Sequence, residues 1–214
     1  GGKVANYFFG VGYSGNEGTL LNTFNNKITV RLNSDFKVTK WLKVGESFNF
    51  TNSTTASQNE RNVYNSPISN AVQMLPFVPI YAPANEDGTF NYAFKESGLA
   101  SNVLNPLAQI SSNKNESKSN SMFGNVYAHA EIIKGLSVES RFGMNYNPTN
   151  YVQYIPARII GTTGSEQSAT MSSSIVTYNK NTTESYGWQW QNFLTYNFSI
   201  DKNNFTIVAG MESG

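Results

Sequence analysis

Cysteine is absent from this 214-residue sequence, and histidine occurs only once. The lack of cysteine excludes disulfide scaffolds, thiol catalysis and zinc sites with cysteine ligands. Charge is scarce as well, because 14% of the residues are charged, against about 25% in an average soluble domain. The net charge is only +1, so no long-range field attracts nucleic acid. We therefore expect no enzyme activity, no metal, no cofactor and no nucleic-acid partner.

Long apolar runs are also missing. No window of the sequence approaches the roughly 18 apolar residues of a membrane-spanning helix, and no charged segment followed by an apolar one opens the chain. Any membrane role would therefore be played by strands. Both ends lie within apolar and aromatic runs, so we expect the chain to be a segment excised from a longer protein.

What the sequence has in abundance is alternation of apolar and polar residues. Between Ile28 and Val38, every second residue is apolar with one exception, which is typical of a strand with one apolar face. The same pattern recurs from Leu136 to Tyr146 and from Tyr186 to Ile200. With four weaker segments, it predicts seven strands, at about 4–14, 23–38, 42–53, 118–133, 136–147, 184–200 and 204–213.

The lengths of these strands and of their connections carry further information. Soluble strands average about five or six residues, whereas a tilted strand that crosses a bilayer needs about nine to eleven. The predicted connections alternate between tight turns at 39–41, 134–135 and 201–204 and longer loops, above all 54–117 and 148–183. Short turns at one end and long loops at the other are typical of outer-membrane barrels. We predict an all-β fold: an antiparallel up-and-down meander of about seven long strands, part of a transmembrane β-barrel.

One short helix is predicted inside the first long loop. Ser66 suits the N-cap and Pro67 the first helical position, and Pro76 would end the helix. Its apolar residues fall on one face, which either covers apolar surface at the loop end or meets a partner; these residues are Ile68, Ala71, Val72 and Leu75.

An alternative fold stays open at this point. The aromatic residues Trp41, Tyr146, Tyr151, Tyr186 and Trp188 lie near the ends of predicted strands, as in the aromatic girdles of membrane barrels. They are equally suited to the core of a soluble sandwich. The alternative is therefore a soluble carbohydrate-binding β-sandwich or a surface adhesin, for which turn signals every 8–12 residues or so would be expected.

An ordered series of short segments resembles the barrel of SusC/RagA-type TonB-linked outer-membrane transporters. Each segment is weakly specific, but they follow the order of the family over nearly the whole chain. They include Val4-Ala5-Asn6-Tyr7-Phe8-Phe9, Arg31-Leu32-Asn33, Trp41-Leu42-Lys43-Val44-Gly45, Asn105-Pro106-Leu107-Ala108-Gln109, Gly124-Asn125-Val126-Tyr127-Ala128 and Ala209-Gly210-Met211-Glu212.

The resemblance implies that the chain is a barrel fragment of a TonB-dependent receptor in the bacterial outer membrane of a Bacteroidetes-type organism. Such a transporter takes up glycans or peptides, and its partners are TonB, a SusD-like surface lipoprotein, an oligosaccharide or peptide ligand and outer-membrane lipid. The fragment lacks the plug of the family, so we expect it to be unable to transport alone. With two open sheet edges it is expected to self-associate.

Two sets of residues are candidates for functional contacts. Within the first long loop, aromatic rings that stack on sugars lie near polar side chains that bind hydroxyls, although a glycine-containing turn explains the same residues; the set is Tyr81, Asn85, Glu86, Asp87 and Tyr92. The second set is His129, Glu139 and Arg141, on the polar faces of two successive strands. These side chains either line a lumen or form ordinary cross-strand pairs.

Overall fold

The structure is a computed structural model that describes residues 4–58, 66–74, 76, 105–156, 158–159, 172–173 and 176–214. Within these residues the chain forms eleven strands and two short helices. They are β1 (Ala5–Glu17), β2 (Phe24–Lys37), β3 (Leu42–Ala56), α1 (Pro67–Gln73), α2 (Pro106–Ser112), β4 (Lys114–Ile133), β5 (Leu136–Tyr146), β6 (Thr149–Ile155), β7 (Arg158–Ile159), β8 (Ser172–Ser173), β9 (Thr177–Thr183), β10 (Tyr186–Ile200) and β11 (Asn203–Ser213).

Nine of the strands form one antiparallel sheet. Its order is β1-β2-β3-β4-β5-β10-β11, and β6 pairs with β4 and with β9. Neighbours in this order are joined by consecutive connections along the chain, except that β5 leads to β10 through the β6 to β9 segment. This arrangement confirms the predicted up-and-down meander of long strands.

Two further strands, β6 and β9, lie in the second long loop and continue the directions of β5 and β10. β6 follows β5 after Asn147 and Pro148, and β9 precedes β10 across Glu184 and Ser185. The ladder continues through the break, because the Asn147 amide donates to the Ser185 carbonyl at 2.7 Å. Proline has no amide hydrogen to donate, which accounts for the interruption at Pro148. The prediction of a plain loop at 148–183 was therefore wrong, since a β6–β9 hairpin extends the sheet there.

Tight turns lie at one end of the sheet, as the sequence predicted. β4 and β5 are joined by Lys134 and Gly135 alone, and β10 and β11 by Asp201 and Lys202. Gly135 has a φ of 85°, a left-handed conformation that glycine adopts without steric cost. The turn is therefore encoded by the glycine.

The described part of the first long loop contains two helices where one was predicted. α1 begins as expected, with the Ser69 amide donating to the Ser66 hydroxyl at 3.2 Å. α2, which was not predicted, has its own cap, since the Leu107 amide donates to Oδ1 of Asn105 at 3.0 Å. Among the described residues, no helix is long and apolar enough to cross a membrane.

The contact between the helices reverses the predicted face of α1. Ile68 and Val72 are exposed, at 49% and 81%, whereas Asn70 is buried and donates to Oε1 of Gln109 at 3.0 Å. α1 thus packs against α2 through the side-chain amide of Asn70 rather than through its apolar residues. Leu75, the last member of the predicted apolar face, lies outside the described residues.

Hydrophobic side chains of the described sheet are exposed or half-buried. Of the hydrophobic residues that the structure describes, only Ile110 is buried, and it belongs to α2 rather than to the sheet. Large apolar side chains such as Phe9, Val126 and Ile207 are 56–65% exposed. A soluble sandwich buries the apolar side chains of its strands between two sheets. The described residues form a single layer instead, which disfavours the sandwich alternative.

Candidate functional site

In the pairing register, the alternating apolar residues of the long strands all lie on the same side of the sheet, here called the apolar face. Val30, Phe50, Met122 and Tyr146 stand opposite one another in one row across β2, β3, β4 and β5. A shift of a single residue between two strands would have broken this continuity. The apolar face is therefore a continuous surface across the sheet.

Aromatic contacts and a single hydrogen bond organise the apolar face around β5 and β10. The rings of Phe142 and Trp188 stack with their centroids 6.4 Å apart. Nε1 of Trp190 donates to the Ser140 hydroxyl at 2.9 Å, so the polar atom of this indole is satisfied within the sheet. These side chains form an aromatic region on the apolar face.

One carboxylate, that of Glu46 on β3, lies within the apolar face. Glu46 lies opposite Ser34 and Val126 in the register, and its Oε1 accepts a hydrogen bond from the Ser34 hydroxyl at 3.1 Å. Ser34 is buried. The sequence analysis did not predict this charged residue within the apolar parity.

The opposite side of the sheet, the polar face, contains a network of charged and aromatic side chains. Asp35, Gly45, Tyr127 and Arg141 stand in one row across β2 to β5. The Tyr127 hydroxyl reaches across Gly45 and donates to Oδ1 of Asp35. A Cβ atom at residue 45 would lie 2.5 Å from the Tyr127 ring, so this hydrogen bond requires glycine between its partners.

Two cations lie against the Tyr127 ring. Nζ of Lys43 and Cζ of Arg141 are each 5.7 Å from its centroid, within the range of cation–π attraction. Lys43 also pairs with Asp35 at 3.7 Å. Tyr127 is therefore the centre of the network, held by one carboxylate and two cations.

The predicted residues His129, Glu139 and Arg141 complete the polar-face network. His129 stands opposite Glu139 in the register, and its Nδ1 lies 3.5 Å from Oε2 of Glu139. The other carboxylate oxygen of Glu139 accepts from Arg141 at 2.8 Å. The structure thus brings all three together as neighbouring cross-strand partners, while their position along a lumen remains a prediction.

The charges of the network are balanced. Lys43 and Arg141 match Asp35 and Glu139, and every one of these pairs is partly exposed to solvent. Among the described residues, no group of three or more histidine, aspartate or glutamate side chains is placed to hold a metal ion. The arrangement provides a fixed polar surface that can donate and accept hydrogen bonds.

Sequence reasoning missed Asp35, Lys43 and Tyr127 as members of this network. All three lie on the polar parity of predicted strands, close to the tight-turn end, and that shared position was the available signal. The predicted ligand-contact set of Tyr81, Asn85, Glu86, Asp87 and Tyr92 lies outside the described residues.

Known proteins were compared with the chain by sequence. No family model matches it. The chain is 27% identical over 215 residues to TonB-dependent receptor P3 of Formosa agariphila, covering 98% of this chain and 20% of that receptor. It is 25% identical over 209 residues to TonB-dependent receptor P26 of the same organism, covering 95% of this chain and 19% of that receptor. The chain therefore spans about a fifth of the length of the curated relatives it matches.

Solved structures show the same fold. The RagAB peptide importer in its closed-closed state aligns with a TM-score of 0.75 at 20% identity, covering 99% of this chain and 23% of that chain. A second structure of the RagAB peptide transporter aligns with a TM-score of 0.74 at 19% identity, with 99% and 23% covered. The chain thus aligns with about a quarter of a longer chain.

These findings confirm the resemblance of the chain to part of a SusC/RagA-type TonB-dependent receptor. The names of the relatives describe receptors and an importer rather than enzymes, in agreement with the expectation. TonB-dependent receptors and RagAB are outer-membrane proteins of Gram-negative bacteria, which confirms the expected location.

Proposed function

We propose that this chain forms part of the barrel wall of a TonB-dependent transporter that imports a glycan or peptide nutrient across the outer membrane. The observation that carries the proposal is the division of one single-layer sheet into a continuous apolar face and a polar face with a hydrogen-bonded network. A membrane barrel needs both, because lipid contacts one face and water the other.

The apolar face is proposed to contact lipid. Its large side chains remain exposed across all seven long strands, as with Tyr7, Phe36, Phe142 and Met211 at 42–73%. A soluble monomer rarely exposes a contiguous apolar patch of this extent. Outer-membrane lipid is the partner that would cover such a face.

The polar face is proposed to line the lumen, with His129, Glu139 and Arg141 among the lining residues. Their side chains are paired within the sheet at 2.8–3.5 Å, so they offer a fixed hydrogen-bonding surface to a passing solute. In this proposal the loop residues Tyr81, Asn85, Glu86, Asp87 and Tyr92 contact ligand near the loop end of the barrel.

The complete protein is proposed to act with TonB and with a SusD-like surface lipoprotein. The chain spans about a fifth of its curated relatives, so the plug and most of the barrel wall would come from the remainder of such a protein. Transport by the isolated chain is therefore not expected. We also propose domain limits of 1–214 for this partial barrel region.

Self-association of the isolated chain follows from the same proposal. β1 and β11 each have one neighbour in the sheet, and a free strand edge is a template for further pairing. We expect oligomers in light scattering that detergent disperses. A monodisperse monomer without detergent would contradict an exposed apolar face.

Introduced cysteines test which face meets lipid, since this chain has none of its own. The pair Ser47→Cys and Phe48→Cys places one thiol on each face of β3, in adjacent residues. In outer membranes containing the complete protein, with any other cysteines removed, a charged water-soluble maleimide should label Ser47→Cys. Phe48→Cys should react only with a lipid-soluble maleimide.

Labelling in denaturant provides the control, because both thiols should then react equally with either reagent. Equal reaction of the two variants with the charged maleimide in the folded protein would overturn the proposal. The result does not depend on the identity of the nutrient.

A further inference from the structure

A depression on the polar face lies beside the network, between β4, β5, β10 and β11. It encloses about 400 Å³, within the usual size of small-molecule sites. Two glycines, Gly143 and Gly187, occupy polar-face positions of β5 and β10. The floor is bare at Gly143, whereas the Asn145 amide lies over Gly187. We call this region the glycine depression.

Primary amides surround the glycine depression. They belong to Asn125, Asn145, Gln189 and Gln191. Each such amide offers both a donor and an acceptor. A ligand with neighbouring hydrogen-bond donors and acceptors would therefore bond to several of these amides at once.

The charged side chains at the rim already have hydrogen-bond partners. Glu212 accepts hydrogen bonds from Nε2 of Gln189 and, at 3.0 Å, from Nε2 of Gln191. Because these amides turn their nitrogen atoms to the carboxylate, their carbonyl oxygens are left as acceptors for a ligand. Arg141 is likewise paired with Glu139 at 2.8 Å. A charged ligand would have to compete with these pairs, whereas a neutral ligand leaves them intact.

One aromatic ring borders the glycine depression. Phe123 stands opposite Asn145 on the polar face, is 54% exposed and lines the cavity. Its ring provides an apolar surface next to the amides. The flat C–H face of a sugar ring, edged by hydroxyl groups, combines these two properties.

We infer that the glycine depression is a subsite for a neutral, polyhydroxylated ligand, namely an oligosaccharide segment. The inference rests on the proposed function, because it takes the polar face to border the solute path. It adds the chemical class of the solute and the residues that hold it. Hydroxyl groups bond to the amides, while one sugar face covers the bare floor at Gly143 and meets the Phe123 ring.

The decisive variant fills the floor. A Cβ at residue 143 would have its nearest neighbours 3.7 Å away, so Gly143→Leu projects into the cavity without a backbone clash. Gly12→Leu is the matched control, because Gly12 lies on the polar face of β1 and a Cβ there meets nothing within 4 Å. Gln189→Leu removes one amide at nearly constant volume and serves as a second, independent variant.

Binding is measured on the complete detergent-solubilised protein by saturation-transfer NMR and calorimetry. The probes are maltotetraose, laminaritetraose and mannotetraose, with tetraglycine as the peptide comparator. We expect at least one oligosaccharide to bind, and Gly143→Leu and Gln189→Leu each to weaken it about tenfold, the equivalent of one or two lost hydrogen bonds. Gly12→Leu should bind as the unaltered protein does.

Three results would overturn the inference. Oligosaccharide binding that survives both variants places the site elsewhere. Absence of oligosaccharide binding contradicts the ligand class, and tetraglycine binding that Gly143→Leu abolishes assigns the depression to peptides. The maleimide labelling of Ser47→Cys and Phe48→Cys distinguishes these failures from a failure of the proposed function, because the labelling depends only on the faces of the sheet.

Discussion

The two faces of the sheet share the same strands and the same single-layer backbone, yet they are built differently. On the polar face, side chains bond across three or four strands, as Tyr127 does with Asp35 over Gly45. On the apolar face, aromatic rings stack in pairs such as Phe142 with Trp188, and polar contacts join isolated pairs such as Trp190 with Ser140. The difference shows that one backbone can face two environments. The stacked apolar side chains of one face suit lipid, and the hydrogen-bonded polar side chains of the other face suit water.

The largest effect on stability is expected from a single charge introduced on the apolar face, compared with the same charge on the polar face. Leu194→Arg puts a cation on the apolar face, and we expect a loss of about 2–4 kcal/mol in the free energy of unfolding if that residue lies near the bilayer centre. Thr195→Arg, on the polar face of the same strand, should change it little. Denaturant titration of the complete protein in lipid vesicles measures both, and equal losses would contradict two distinct environments.

The next effect concerns the close approach of Tyr127 and Asp35 over Gly45 on the polar face. In Gly45→Ala the new methyl carbon would lie 2.5 Å from the Tyr127 ring and 2.6 Å from Oδ1 of Asp35. Separation of that pair and the overpacking should cost about 1–3 kcal/mol. Gly143→Ala is the control, because its methyl group has room. Unfolding free energies that fall equally in both variants would point to strand propensity rather than to the Tyr127 contact.

A smaller effect is expected where the apolar face has a polar contact. Ser140→Ala removes the acceptor of the Trp190 indole, and a hydrogen bond of this kind contributes about 0.6–2 kcal/mol in a membrane. The Trp190 fluorescence should shift as well, because the environment of its indole changes. Combining Ser140→Ala with Trp190→Phe should produce no further loss beyond Trp190→Phe. Additive losses would show that the bond is not formed.

The smallest effect should come from the ion pairs of the polar face. Glu139→Gln removes the carboxylate that holds Arg141 and His129, but these partners are partly exposed, so we expect a loss of only about 0.2–1 kcal/mol. The difference should shrink as salt is raised to 1 M, because salt screens exposed charges. Glu131→Gln is the control, because Glu131 is an exposed carboxylate on the neighbouring strand β4. A loss that persists in high salt would indicate packing rather than charge.

Much of this architecture could be predicted from alternation alone, while the ends of the strands could not. The segment from Leu136 to Tyr146 was predicted to within one residue. The continuation of the sheet into β6 and β9 was missed, because Pro148 ends the alternation in sequence even though pairing resumes at Thr149. α2 was missed because seven residues with a weak pattern carry little signal, and Asn105 as its cap becomes meaningful only beside Asn70 and Gln109.

The sequence by itself determined the number of long strands and the face that each side chain takes, because a strand places successive residues on opposite sides whatever its neighbours are. Only the tertiary structure decided which residues share a row. Asp35, Gly45 and Tyr127 lie up to 92 positions apart, and their meeting depends on the register of three strands. Register is a property of pairs of strands, set by turns and by packing across the sheet. The polar network and the glycine depression therefore become visible only once the strands are paired.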